Sequence, residues 1–395
     1  MKKKTIKDID VTGKRVLVRV DYNVPLDIDS GAIANDSKIK ATLPTIQYLI
    51  DHKAKIILCS HLGRPKGKVD EALRLKPVAN RLSQLIQKPV TAVDDCIGPK
   101  VKKAVANLKS GEILMLENLR FHPEEEANDP NFAKALAELA DVYVNDAFGT
   151  AHRAHASTAG ITKYLPAVAG FLIEKELDVL SELLSKPAHP FAALLGGAKA
   201  SDKLGLIENI LNKVNLLLIG GGMAANFLKV KGYEVGRSKV EEETLGAASK
   251  LIELMERNAI PLFLPVDAVV AKEINSGANG KIVTVNSIPA DMYIVDIGPK
   301  TIVLFSHELK NCQTIFWNGP MGIYEFPQFA NGTKSLVTLL ASLEATIVVG
   351  GGSTAEIVEE MGMTDKMTHV STGGGASLEF LEGRELPGIA AIQDK

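Results

Sequence analysis

Short apolar, β-branched runs alternate along the whole chain with longer stretches in which apolar positions recur every three or four residues. That alternation predicts strands separated by helices, an α/β architecture built on parallel sheets. Four runs in the first 155 residues stop at an Arg or His cluster: KRVLVRVDYNVP (14–25), AKIILCSHLGRP (54–65), GEILMLENLRFHP (111–123) and ADVYVNDAFGTAHRAH (140–155). Four later runs stop at glycines: FAALLGGAK (191–199), NLLLIGGGMA (215–224), ATIVVGGGSTA (345–355) and THVSTGGGA (368–376). Ligands of open parallel sheets gather where strands end at their carboxyl edge. The first half is therefore expected to hold a small polyanion, and the second to let backbone amides approach phosphates. Phosphoryl transfer is the simplest chemistry that uses both.

Helical spacing is also read over 43–52, 77–87, 131–140 and 203–213, and further strands over 89–93, 261–271, 293–298 and 313–319. No fixed-period repeat is evident. In the stretch 167–186, Phe171, Leu172, Leu177, Leu180, Leu183 and Leu184 recur at helical spacing before Pro187 and Pro190 break the pattern. It reads as a long helix joining two domains. The expected organisation is 1–168 as one α/β domain, 169–187 as the interdomain helix, 188–376 as a second α/β domain, and 377–395 as a short segment packing back on the first.

Composition narrows the picture. A chain of 395 residues is too long for one ordinary core and suits two domains of about 150–200 residues each. Its 46% hydrophobic and 23% charged residues are those of a globular protein. Lys and Arg number 45 against 47 Asp and Glu, without the basic excess of a nucleic-acid or membrane-surface protein. Cys59, Cys96 and Cys312 are widely spaced with no CxxC pair, so neither a disulfide framework nor a zinc site is expected, and a reducing cytoplasm fits. Cys59 near His61 is read as a buried strand thiol rather than a nucleophile. The opening MKKKTIKDID has a basic start but no apolar run after it, so export is not expected. No stretch approaches the ~18 apolar residues of a membrane span.

In the cationic half, Asp21 and Asn23 are expected on one side of an extended strand end, where a carboxylate beside an amide suits hydroxyl recognition. Arg64, Arg120 and Arg153 close three other runs, and the guanidinium fork matches phosphate and carboxylate in two-point fashion. His61 and His152 add donors tunable near neutral pH. The acidic run HPEEEANDP (122–130) is read as a solvated loop or helix start.

In the glycine half, residues 220–225 and 350–355 both fit a G-x-G-x-x-A turn, which brings backbone close to phosphate at a helix start. A nicotinamide dehydrogenase would also place an acid about 20 residues onward. Neither turn has one, and no Walker A loop is present. GGAKASDK sets Lys199 and Lys203 four residues apart, expected on one face of a starting helix and able to hold adjacent phosphates. FWNGPMG (316–322) ends a strand in a tight apolar turn suited to a nucleoside wall, with Glu325 placed to accept from ribose hydroxyls.

Taken together, RVDYNVP, SHLGRP, ENLRFHPEEE, NDAFGTAHRAHAS, LLGGAKASDKL, IGGGMA, FWNGPMGIYE and HVSTGGGASLEFLEG resemble the motifs of the phosphoglycerate kinases, in family order, from about residue 5 to about residue 390. The resemblance implies two Rossmann-like domains joined by a helix and closing by hinge motion. It also implies reversible transfer of the acyl phosphate of 1,3-bisphosphoglycerate to ADP, giving 3-phosphoglycerate and ATP with Mg²⁺, in a cytoplasmic monomer with no nucleic-acid or membrane partner. It places Asp21, Asn23, Lys38, His61, Arg64, Arg120 and Arg153 on the phosphoglycerate. Lys199, Lys203, Gly221, Asn318, Glu325, Gly351, Gly352, Ser353 and Thr354 fall to the nucleotide, and Lys38, Lys199, Gly352 and Gly374 to the transferred phosphoryl group.

Two positions depart from the family pattern. Lys38 stands where an Arg is usual, keeping the charge but not the fork. Ser353 stands where an Asp bearing on Mg²⁺ is usual (GGGSTA for GGGDTA), and a hydroxyl is the poorer ligand for a hard cation. The residue that would hold the metal is therefore unassigned. These departures keep a catalytically impaired nucleotide-binding homologue open, alongside the weaker dehydrogenase reading.

Overall fold

A computed structural model describes residues 2–27 and 31–395. The chain separates into two compact units, Met1–Asp178 with Glu385–Lys395, and Val179–Arg384. The boundary falls inside the helix Phe171–Ser185.

The first unit is built on β1 (Arg15–Val20), β2 (Lys55–Cys59), β3 (Val90–Ala92), β4 (Ile113–Met115), β5 (Val142–Asp146) and β6 (Ala167–Ala169), in the order β3-β4-β2-β1-β5-β6. Every pairing is parallel. Central β1 shows why its sequence is nearly continuous apolar. Val16, Val18 and Val20 pack on one face with Ile46, Leu49 and Val78, while Leu17 packs on the other with Val101, Leu114 and Phe132. Helices cover both faces, so both must be apolar. The same alternation puts Arg19, 1% exposed, on the face of Leu17. Asp146, at the end of β5, accepts from Leu172 N at 2.9 Å and so caps the helix that begins at Phe171.

The second unit continues with β7 (Phe191–Leu195), β8 (Leu216–Ile219), β9 (Leu262–Phe263), β10 (Asp267–Ala271), β11 (Lys281–Thr284), β12 (Tyr293–Ile297), β13 (Thr314–Asn318), β14 (Thr346–Gly350) and β15 (His369–Val370). Six form a parallel sheet, β15-β14-β13-β7-β8-β9, over a core that includes Leu194, Leu218, Phe305 and Trp317. The other three form an antiparallel sheet, β11-β10-β12, which the alternating pattern did not lead us to expect. The single run read over 261–271 is two strands in different sheets, divided at Pro265, which has no N–H to offer a ladder. β11 escaped notice because it is a mostly exposed edge with no buried face to pattern it.

The chain end also divides differently from the expected segment 377–395. Helix Gly375–Leu381 belongs to the second unit, and only Glu385–Lys395 to the first. There Lys3 pairs with Asp394 at 2.7 Å, and Lys4 N donates to the Gln393 carbonyl.

Candidate functional site

The clusters at the strand ends of the first unit converge. β1 stops at Val20, so Asp21 and Asn23 do not share a strand face as the period-two argument supposed. They meet through a turn in which Asn23 N donates to Asp21 Oδ1 at 3.3 Å. The Asn23 side-chain oxygen accepts from Gly63 N at 2.8 Å, which ties the end of β1 to the loop after β2. Lys38, at the start of helix Ser37–Ala41, donates to Asp21 Oδ2 at 3.0 Å. Burial alone would raise the Asp21 carboxyl, but Lys38 first, then His61 and Arg19, outweigh it and hold it low.

His61 is not the near-neutral switch expected of it. Burial, then Arg19, Arg120 and Lys38, push its protonation well below the ordinary range against the one opposing charge of Asp21. Arg120 is 4% exposed and donates to the Gly63 carbonyl at 2.9 Å. Its Nε lies 3.2 Å from Glu126 Oε1 but makes no aligned hydrogen bond. Arg153 is half-buried and donates to His152 Nε2 at 3.2 Å. Arg64 is exposed.

Arg19 and Glu125 also belong here, and sequence reading missed both. The acidic run is not simply solvated: Glu125, in helix Pro123–Glu126, is fully buried and accepts from Ser157 Oγ and N at 2.6 and 2.9 Å. The available signal was Arg19 itself, a charge inside an otherwise apolar central strand, which demands a buried counter-charge.

In the second unit the strand ends present backbone. Gly196 N donates to the Asn318 carbonyl, Gly197 N to the Pro320 carbonyl, Gly221 N to the Met321 carbonyl and Met223 N to the Gly197 carbonyl, so three turns interlock. No side chain fits between them. A Cβ on Gly221, at φ +64°, would lie 2.6 Å from the Pro320 oxygen, and one on Gly319, at φ +97°, would lie 2.2 Å from the Gly196 oxygen. Asn318 is 1% exposed, its Nδ2 lacks a hydrogen-bond partner, and a Cβ on Gly351 would lie 2.9 Å from that atom. An unpaired buried donor at a glycine turn is the expected mark of a missing acceptor. Thr354 Oγ1 accepts from Gly319 N at 2.8 Å, and the exposed Gly352 and Ser353 open helix Gly352–Glu360. Gly374, at φ +52°, directly precedes helix Gly375–Leu381.

Lys199 and Lys203 do not share a helical face, because the helix begins only at Leu204. Lys199 is exposed in the preceding turn. Lys203 is 8% exposed, and burial lowers its ammonium to about 8 against the pull of Asp202 and Glu382. Glu325 is exposed in the loop after β13.

No carboxylate stands in the turn 351–354, so a divalent cation there would meet nothing better than a hydroxyl. Among the described residues, the one group of His, Cys, Asp or Glu close enough to share an ion is Asp95, Cys96 and His122, in the first unit. There His122 and Asp95 already pair at 2.8 Å. The three cysteines are unbridged and buried. Among the described residues, no helix is long and apolar enough to cross a membrane.

Two parallel α/β units, one with cations massed at its strand ends and one with phosphate-type glycine turns, define a phosphotransferase. The comparisons with known proteins agree. The phosphoglycerate kinase family profile matches residues 6–384. Over 395 residues and the full length of both chains, the sequence is 55% identical to the phosphoglycerate kinase of Pelotomaculum thermopropionicum and 53% identical to that of Moorella thermoacetica. The fold matches the phosphoglycerate kinase structures of Coxiella burnetii (TM-score 0.85, 40% identity) and Pyrococcus horikoshii (TM-score 0.87, 34% identity), covering 98% of each chain. The chain belongs to the phosphoglycerate kinase family.

Proposed function

We propose that this chain transfers the acyl phosphate of 1,3-bisphosphoglycerate to ADP, reversibly, with the cation cluster of the first unit holding the phosphoglycerate and the glycine turns of the second holding the nucleotide. The observation that carries the reading is the buried guanidinium of Arg120, within electrostatic reach of both Arg19 and Arg153, with its Nε 3.2 Å from Glu126 but in no aligned hydrogen bond. Glu125 and Glu126 offset part of the cost of gathering like charges out of water, and a bound anion would offset more.

The reaction needs no general base. A carboxylate leaves in one direction and attacks in the other, and neither carries a proton at neutral pH. What it needs is in-line placement and dispersal of charge. Arg120, Arg153, Arg64, Asn23 and the donor on His61 orient the triose. Lys38, Lys199, Gly352 and Gly374 are assigned to the reacting phosphoryl group. Lys203, Gly221, Gly351, Thr354 and Asn318 Nδ2 take the nucleotide phosphates, and Glu325 the ribose.

The protein offers no ligand set for Mg²⁺ at the turn 351–354, so we assign the ion's coordination to nucleotide phosphates and water, which suits its reluctance to shed water. A cytoplasmic monomer completes the proposal.

The test is ATP consumption with 3-phosphoglycerate and Mg²⁺, each omitted in turn. Turnover requiring all three supports the reading. Tight binding of both substrates without turnover overturns it in favour of an impaired nucleotide-binding homologue.

A further inference from the structure

We propose that Arg19 is a positioning residue: its guanidinium donates to His61 Nδ1 and holds His61 in the neutral tautomer that carries its proton on Nε2. The contribution of that tautomer to triose binding rests on the function proposed above. The tautomer itself does not.

Arginine has five N–H groups, no acceptor, and does not lose its proton in proteins. Arg19 uses Nε on Ser157 Oγ at 2.9 Å and Nη1 on the Val20 carbonyl, and its Nη2 lies 3.2 Å from His61 Nδ1. For that last contact to be a hydrogen bond, Nδ1 must accept. An imidazole that accepts at one nitrogen is neutral and carries its hydrogen on the other. A protonated His61 would set N–H against N–H at buried range.

The surrounding charges press the same way. Arg19, Arg120 and Lys38 all oppose a charged imidazole, and Asp21 alone favours one, its Oδ1 3.9 Å from Nδ1. Lys38 occupies the other oxygen of that carboxylate at 3.0 Å, which weakens its claim on His61. His61 is thus a fixed neutral donor set among cations.

Arg19 is held from behind. Ser157 Oγ accepts from Arg19 Nε and donates to Glu125 Oε1 at 2.6 Å, while Ser157 N donates to Glu125 Oε2 at 2.9 Å. Burial pushes the Glu125 carboxyl up and Arg19 pulls it back down. A line of contacts therefore runs from Glu125 through Ser157 and Arg19 to one nitrogen of His61. Were Arg19 only a structural cation, the identity of the protonated nitrogen would not depend on it.

Nitrogen-15 NMR of the imidazole side chains in the ligand-free native chain reads this directly, with the His61 signals assigned by difference from His61→Gln. The expected result is the Nε2–H tautomer with no protonation between about pH 5 and 8. An Nδ1–H tautomer, or a protonation midpoint inside that range, overturns the proposal. In Arg19→Met, His61 should gain Nδ1–H population and begin to titrate. KM for 3-phosphoglycerate should rise by about tenfold, most at the acidic end, with kcat changed much less. Arg19→Met with Glu125→Gln removes both buried charges together, and serves if the single variant does not fold. An unchanged tautomer in either variant overturns the role of Arg19. Absence of turnover in the native chain strikes only the proposed function, because the NMR readout needs no substrate.

Discussion

The two units prepare for anions in opposite ways. The first uses side chains: Arg19, Lys38, Arg120 and Arg153 sit with Asp21, Glu125 and Glu126 in a network of paired and half-paired charges. The second uses backbone: interlocked turns at Gly196, Gly221 and Gly319, with one buried amide, Asn318 Nδ2, left without a partner. The difference teaches where each half tolerates change. A charge network survives replacement of one cation by another, because attraction between charges falls off gradually with distance. A backbone turn with no room for a Cβ does not adjust. The departure at Lys38 keeps its charge, and the glycines that interlock the turns remain glycine.

The largest effect should come from breaking the side-chain half outright. In Lys38→Ala the Asp21 carboxylate loses its nearest cation and, on the function proposed above, the reacting phosphoryl group loses one donor, so kcat should fall by about 10²–10³. Lys38→Arg should retain native activity or exceed it, since it restores the fork. Steady-state rates decide both. A near-native Lys38→Ala would make Lys38 a bystander. The backbone half breaks through stability instead. Gly319→Ala forces a side chain to φ +97° and a Cβ to 2.2 Å from the Gly196 oxygen, so urea unfolding should show a loss of about 3 kcal/mol. A loss below ~1 kcal/mol would show that the turn can shift, and would weaken the contrast.

How much of this was legible in the sequence follows the same divide. Glycine turns could be located because several glycines directly after an apolar run mark a backbone that must turn tightly or meet a ligand closely. Cation clusters could be located because they close strands. What failed were inferences of local geometry. Asp21 and Asn23 meet through a turn rather than a strand face, and Lys199 precedes its helix rather than joining it. Glu125 looked solvated among its acidic neighbours and is buried, because its partners Ser157 and Arg19 are distant in sequence. Periodicity reports faces of regular elements. It is silent on partners that only tertiary structure supplies. The antiparallel sheet was missed for a related reason, since its edge strand buries no face that would pattern it.

Two aspartates sharpen the comparison through pH. Asp21, among cations, is held at about 2, whereas Asp296 in the second unit accepts from the backbone N–H groups of Gly332, Ile297 and Asn331, and burial raises it to about 7. A carboxyl with a raised folded value binds its proton more tightly folded than unfolded, so its contribution declines as pH rises from about 4 through 7. A depressed one contributes fully above about 4 and loses that only as pH falls toward 2. Between pH 5 and 8 the Asp296 carboxyl should therefore lower stability by about 2 kcal/mol while Asp21 contributes no slope. Asp146 of the first unit is raised by burial to about 7 as well, so Asp296→Asn should remove about half of the slope the two create, Asp146→Asn the other half, and Asp21→Asn none of it. Thermal unfolding across that range measures both. A slope that Asp296→Asn leaves wholly unchanged would show that Asp296 does not contribute to it.

The smallest effect tests the one place where the backbone half normally borrows a charge. If Mg²⁺ is held by phosphates and water, the Ser353 hydroxyl adds little, and the turn 351–354 meets the nucleotide through backbone alone. Ser353→Asp introduces a carboxylate at the exposed start of helix Gly352–Glu360, where negative charge is favoured by the helix as well as by the ion. The Mg²⁺ concentration for half-maximal rate should then fall by about three- to tenfold, with a smaller change in kcat, because one strong ligand joins an ion that the native chain barely touches. An unchanged Mg²⁺ requirement would mean that the native turn already binds the ion as well as a carboxylate could. The second unit would then hold its ligand by more than backbone, and the division between the two halves would not be as sharp as their strand ends make it.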